Sequence, residues 1–222
     1  MKKQWTAAAV FAALFLALIV LLRVCDVAAI GPAGTSVGLS GINGAVRDAV
    51  GVNMTLYAVT GWCGRIAIAV ALIVAVIAAV RILRKKNAGR ALPAILALYA
   101  ALGILYVLFE IVIVNYRPIL MEGETFPEAS FPSSHTMLAV GIWGSLGLLC
   151  DRVLHSRRVK AAVWAVSIVL LVVTVAGRVL AGVHWATDIL GGVLIGAALL
   201  SAYAAFCDGG RKQSAEPAQQ DA

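Results

Sequence analysis

Residues 161–207 read AAVWAVSIVLLVVTVAGRVLAGVHWATDILGGVLIGAALLSAYAAFC. This is an apolar run (161–177), a short stretch holding Arg178, His184 and Asp188, and a second apolar run (189–207). Each run approaches the roughly 20 residues a helix needs to cross a bilayer core about 30 Å thick. In lipid, only a helix satisfies every backbone group within one such segment. Outward from this pair lie four more uncharged runs, 4–22, 66–80 (continuing backwards past Arg65 to Met54), 91–109 and 129–150. Together they predict an all-α polytopic membrane protein of six transmembrane helices, a single domain over 1–207 followed by a polar, disordered cytoplasmic tail over 208–222.

Composition agrees. Of 222 residues 62% are hydrophobic and 13% charged, with a mean hydropathy of +0.95, far from the roughly 45 to 50% apolar usage of soluble domains. The net charge of +7, from 18 Lys and Arg against 11 Asp and Glu, raises the question of a nucleic-acid partner. Position answers it. Lys2, Lys3, Arg81, Arg84, Lys85, Lys86, Arg90, Arg152, Arg157, Arg158, Lys160, Arg211 and Lys212 all fall on one side of the six spans, where the positive-inside rule puts the cytoplasm. Both termini are therefore expected inside. With aromatics at 7%, material for base-stacking platforms is also scarce, and no nucleic-acid partner is expected. The compact chain points to a bacterial inner membrane.

The first span shares Lys2, Lys3 and the small pair Ala28-Ala29 with signal peptides, but it is longer than the usual 7 to 15 apolar residues, which favours a retained anchor. Between spans one and two, Leu39, Ile42, Val46 and Ala49 share one helical face, and Ser40, Asn43 and Arg47 another. That pattern predicts a short helix, either lying in the outer membrane interface with its polar face to water or packed as a cap. Four cysteines show no metal spacing. Cys25 and Cys63 fall on the outer side, where they either pair or serve as small apolar filler, and Cys150 and Cys207 on the reducing side. Asn53-Met54-Thr55 matches a glycosylation sequon, a weak signal.

Polar residues at membrane depth are expensive and suggest function. They cluster at the outer ends of spans three to six, in three stretches: Glu110 to Pro118, Phe131 to Thr136, and Arg178 to Asp188. His184 and Asp188, four apart, are neighbours on one helical face, so the carboxylate can hold one ring nitrogen as N–H and leave the other as nucleophile or base. The short connection after Arg178 makes the last two spans antiparallel neighbours and brings that guanidinium near the imidazole. Ser133, Ser134 and His135 open a helix whose free N–H groups form an anion site. Arg117 supplies a second fork for phosphate oxygens. Taken singly, each residue has a structural explanation as anchor, cap or packed pair. Jointly they point to a tetrahedral phosphoryl group.

Arg117-Pro118, Pro132-Ser133-Ser134-His135 and the Arg-x5-His-x3-Asp spacing of Arg178, His184 and Asp188 resemble the three motifs of the type 2 phosphatidic acid phosphatase superfamily, membrane lipid phosphatases related to vanadium haloperoxidases. The resemblance implies that His184 attacks phosphorus to give a phosphohistidine, oriented by Asp188. It implies that His135 protonates the leaving alkoxide and then activates water, that Arg117, Ser133, Ser134 and Arg178 bind phosphate, and that neither metal nor other cofactor takes part. The expected partners are a lipid phosphate and membrane lipids, with no protein partner.

Two positions depart from the pattern. Pro-Ser-Gly-His becomes Pro-Ser-Ser-His, which keeps the N–H groups, and the lysine that opens the first motif becomes Glu110. On a continuous helix Glu110 lies about 10.5 Å below Arg117 on nearly the same face, and it is expected to pair with Arg117 or Arg178. Glu110 also gives weight to two other functions, a non-catalytic phospholipid binder or transporter and a lipid headgroup transferase.

Overall fold

The computed structural model describes residues 1–84 and 89–213. Lys85, Lys86 and residues 214–222 of the tail lie outside the described residues. Seven α-helices follow in chain order: α1 (Lys2–Val24), α2 (Ser40–Val50), α3 (Met54–Leu83), α4 (Ala91–Ile111), α5 (Ser134–Val153), α6 (Arg157–Ala181) and α7 (Ala186–Gln213). All but α2 are long and apolar enough to cross a membrane. The helix at the chain's end runs to Gln213, past the expected boundary at 207, in spite of Gly209 and Gly210.

Four spans, α3, α4, α6 and α7, pack around α5, which is both the least apolar of the six and the most buried. It packs on α6 along one side and on α7 along another, and α1 closes the far side of α7. This alters one expectation. The short α6–α7 connection does not make these helices packing neighbours along their length, because α5 separates them and they meet mainly around their shared turn. Small residues allow the close approach: a Cβ on Gly192 would press on the Ser133 carbonyl of α5.

α3 runs straight through Arg65, whose guanidinium lies 3.9 Å from the centre of the Trp62 ring and is shielded by it. Asn53 of the sequon is a helix cap, its side chain accepting from Leu56 N–H at 3.0 Å. All four cysteines are free, so Cys25 and Cys63 do not pair.

α2 forms where its pattern predicts it. Asp26 anchors its first turn, accepting from Ser40 Oγ at 2.9 Å and from Gly41 N–H at 2.7 Å. The Gly41 and Ser40 bonds hold the Asp26 carboxyl below its usual range. Of the polar face only the Arg47 side chain stays exposed, however. Ser40 and Asn43 are the buried residues of α2, whereas Ile42 on the apolar face is 61% exposed. The helix is thus a cap that turns its polar edge into the protein and its apolar edge outward.

Candidate active site

At the end of the bundle where α4 stops and α5 and α7 begin, the three polar stretches converge. α4 ends at Ile111, with Val112 already outside helical conformation, and Pro118 disfavours helix at Arg117. The chain then runs extended: Tyr116 bridges Ala129, and Arg117 N–H donates to the Glu128 carbonyl at 3.0 Å. Glu110 and Arg117 are therefore not on one continuous helix, and the expected Glu110–Arg117 pair does not form. Arg117 Nε instead donates to Glu128 Oε2 at 2.7 Å. Its Nη1 lies 3.3 Å from the Val183 carbonyl and 3.3 Å from His184 Nε2.

His184 sits in the tight turn between α6 and α7. Gly182 ends α6 with φ of +64°, and the Gly51 carbonyl occupies the space where a Cβ would stand, so both conformation and contact demand glycine. Two residues on, the His184 ring is almost fully buried, with Nδ1 3.6 Å from Asp188 Oδ2. Asp188 can only accept and Arg117 can only donate, so together they place the ring proton on Nδ1 and leave Nε2 bare. Asp188 also accepts from Trp185 N–H at 2.9 Å, the reach-back of a capping box, and from Asn115 Nδ2 at 3.3 Å. Burial pushes the His184 pKa below its ordinary 6.5, opposed by Asp188 and aided by Arg117.

α5 points its first turn into the same place. Ser133 N–H donates to the Asp188 carbonyl at 2.9 Å, while the amides of Ser134, His135 and Thr136 have no intrahelical acceptor. Ser134 and His135 line a cavity of about 750 Å³. Ser133 does not: its hydroxyl is fully buried and unpartnered. Arg178, 1% exposed, lies over Tyr57 with 4.8 Å from guanidinium carbon to ring centre. Among the described residues, Arg178 Nε and Nη1, Ser133 Oγ, Thr136 Oγ1 and His184 Nδ1 are all buried without a hydrogen-bond partner. Each such atom costs about 1–3 kcal/mol when left unmatched, and this concentration suits a ligand rich in acceptors.

The family model of the PAP2 superfamily matches residues 68–209. The chain belongs to the PAP2 superfamily. The crystal structure of the first transmembrane PAP2 type phosphatidylglycerolphosphate phosphatase from Bacillus subtilis superposes with a TM-score of 0.66 at 18% identity, covering 96% of this chain and 99% of that one. At that identity the likeness speaks for the fold alone. No curated protein matches the chain.

The PAP2 match includes every site residue anticipated from the sequence. Other residues that shape the site were not anticipated. Glu128 clamps Arg117 and Asn115 holds Asp188, but each is distinguished in sequence only by being polar. Asn43 lies outside the PAP2 match. It is fully buried, donating from Nδ2 to the Gly38 carbonyl and Thr187 Oγ1 and accepting from Thr187 N–H at 3.2 Å. It therefore caps α7 one residue before Asp188. Its place on the polar face of α2 was the only available signal. Gly64 admits the His135 ring, since a Cβ there would touch it. Among the described residues, no three His, Cys, Asp or Glu side chains gather to hold a metal ion.

Proposed function

We propose that this PAP2 protein is a lipid phosphatase that removes a terminal phosphate, as monoester or pyrophosphate, from an amphiphilic lipid. The observation that carries the reading is buried Arg178, whose Nε and Nη1 donors lack acceptors, within electrostatic reach of Arg117 and of His184 in the Arg117–His184–Asp188 chain. A phosphoryl group supplies the acceptors those donors lack. His184 Nε2 attacks phosphorus, the P–O bond to the lipid breaks, and His135 gives its proton to the leaving alkoxide. Water activated by His135 then cleaves the phosphohistidine. Charge on the phosphoryl oxygens is stabilised by Arg117, Arg178 and the first turn of α5. This chemistry asks no metal of the protein.

The shape of the cavity supports a lipid. From Gly64, level with His135, it follows α3 to Ala75, with Leu102 and Tyr99 of α4 opposite and Ile142 of α5 behind. Eleven residues of helix are about 16 Å, close to half of a bilayer core about 30 Å thick. A chain from one leaflet fills that depth while its phosphate stays at the polar end. The basic residues gather at the opposite end of the bundle, which supports a cell-membrane protein with both termini inside and the site on the outer, periplasmic face.

Purified protein in detergent, assayed on a panel of lipid monophosphates and pyrophosphates in excess EDTA, is expected to release inorganic phosphate from at least one. Transfer to an acceptor lipid without free phosphate would favour a headgroup transferase, and no turnover on any member would overturn the reading. The depressed pKa of His184 sets the pH dependence. The nucleophile must be neutral, so the acid limb follows the loss of activity as pH falls through its lowered pKa. The acid limb of kcat/KM is accordingly expected below pH 6.5, and a limb at or above that value would contradict the burial argument.

A further inference from the structure

Arg65 has no part in the site described above, yet it stands beside it. The groove opens sideways between α3 and α4, with Ile68 and the 62% exposed Leu72 on one rim and the half-exposed Tyr106 on the other. Arg65 belongs to the first rim, being three residues from Ile68 and seven from Leu72, both on nearly its own face of α3. The residue before it, Gly64, receives the His135 ring, so Arg65 is carried at the depth of the chemistry and its charge reaches His135. The same position sets it at the bilayer surface. The uncharged stretch of α3 lies between Arg65 and Arg81. Sixteen residues of helix are about 24 Å, and two arginines reaching outward from the ends complete a bilayer core of about 30 Å. Arg65 therefore meets the plane in which outer-leaflet phosphates lie. It is exposed, and among the described residues it forms no ion pair. Trp62 covers one face of its guanidinium at 3.9 Å, which leaves the in-plane N–H edge open to an acceptor.

Resting on the phosphatase reading, we propose that Arg65, held on Trp62, is a docking residue that receives the phosphate of a lipid arriving from the outer leaflet at the side opening of the groove. The phosphate then passes from Arg65 to the Arg117–His184 site while the tail slides between α3 and α4. Arg65 thus acts on capture and not on the chemical step. A cation on the rim of a binding site changes the rate of encounter and its dependence on salt, whereas a phosphate that comes from water without a tail has no need of this route.

The test measures phosphate release in mixed micelles as the mole fraction of a long-chain lipid phosphate is varied. Arg65→Gln is expected to raise KM about tenfold and leave kcat in place. Arg65→Lys, which keeps the charge, should retain most of the wild-type KM, and Trp62→Leu, which removes the support, should fall between them. KM does not depend on how much of a preparation is folded, so partial loss of protein leaves the comparison intact. Salt should raise the KM of wild type and leave that of Arg65→Gln nearly flat. Inorganic phosphate, the product, has no tail to route it through the side opening, so its inhibition constant should be the same in wild type and Arg65→Gln. An unchanged KM, a fall in kcat with KM intact, or an inhibition constant that shifts along with KM would overturn this proposal alone. Release of phosphate from no lipid of the panel would overturn the phosphatase reading with it.

Discussion

Replacing His184 with alanine is expected to lower phosphate release by about 10⁴-fold or more, the scale seen when a covalent nucleophile is removed. The argument rests on how fully the structure prepares this ring. Its Nε2 faces Arg117 Nη1 at 3.3 Å, and its Nδ1 faces Asp188 at 3.6 Å. Arg117 is in turn held by Glu128 at 2.7 Å, so the guanidinium stands where the phosphoryl oxygens would arrive without having to be recruited. The ring lies in a turn whose shape Gly182 fixes, and its orientation is set before substrate binds. His184→Gln keeps most of the volume and should lose activity equally, which separates chemistry from packing. Acid quenching with a labelled substrate should trap a phosphoenzyme in wild type and not in either variant. Retention of more than a tenth of the activity would exclude His184 as nucleophile.

Asp188→Asn is expected to lower kcat by about 10³- to 10⁴-fold and also to destabilise the protein by about 1–3 kcal/mol. Asp188 is fully buried and faces three donors: Trp185 N–H at 2.9 Å, Asn115 Nδ2 at 3.3 Å and, at 3.6 Å, His184 Nδ1. A carboxylate accepts from the first two and presents an acceptor to the third. An amide must turn its NH₂ toward one of them, leaving that donor unmatched in a dry environment. If it turns toward His184, the ring proton moves to Nε2 and the nucleophile is blocked. If it turns toward Trp185, the first turn of α7 loses its cap. Thermal unfolding in detergent checks stability, and turnover of the protein that remains folded checks kcat. A variant with normal kcat would show that Asp188 supports the turn without tuning the histidine.

Both expectations use residues that the sequence marks out, because their geometry is local. His184 and Asp188 are four residues apart, and they meet as expected although His184 stands in the turn before α7 and does not share a helical face with Asp188. The same locality made α2 legible from four apolar residues at helical spacing. Where an inference depended on the chain staying regular, it failed. The Glu110–Arg117 relation assumed a continuous helix, but α4 ends at Ile111, and Arg117 turns to Glu128 from an extended segment. The burial of Asn43 and Ser40 was equally hidden, since a polar face on a short helix looks the same whether it meets water or a neighbouring helix end.

By itself the sequence determined the six spans, since lipid imposes a length and apolar content that composition reveals directly, and it determined the three stretches that meet at one end of them. Only the tertiary structure decided who pairs with whom. It inserted α5 between α6 and α7, gave Arg117 to Glu128 and Asp188 to Asn115, and laid Arg178 over Tyr57. It also left Glu110 without a partner at the mouth of a leaflet-deep groove. Hydrogen bonds between segments tens of residues apart depend on how helices pack and where they stop, and neither is written in any local window of the chain.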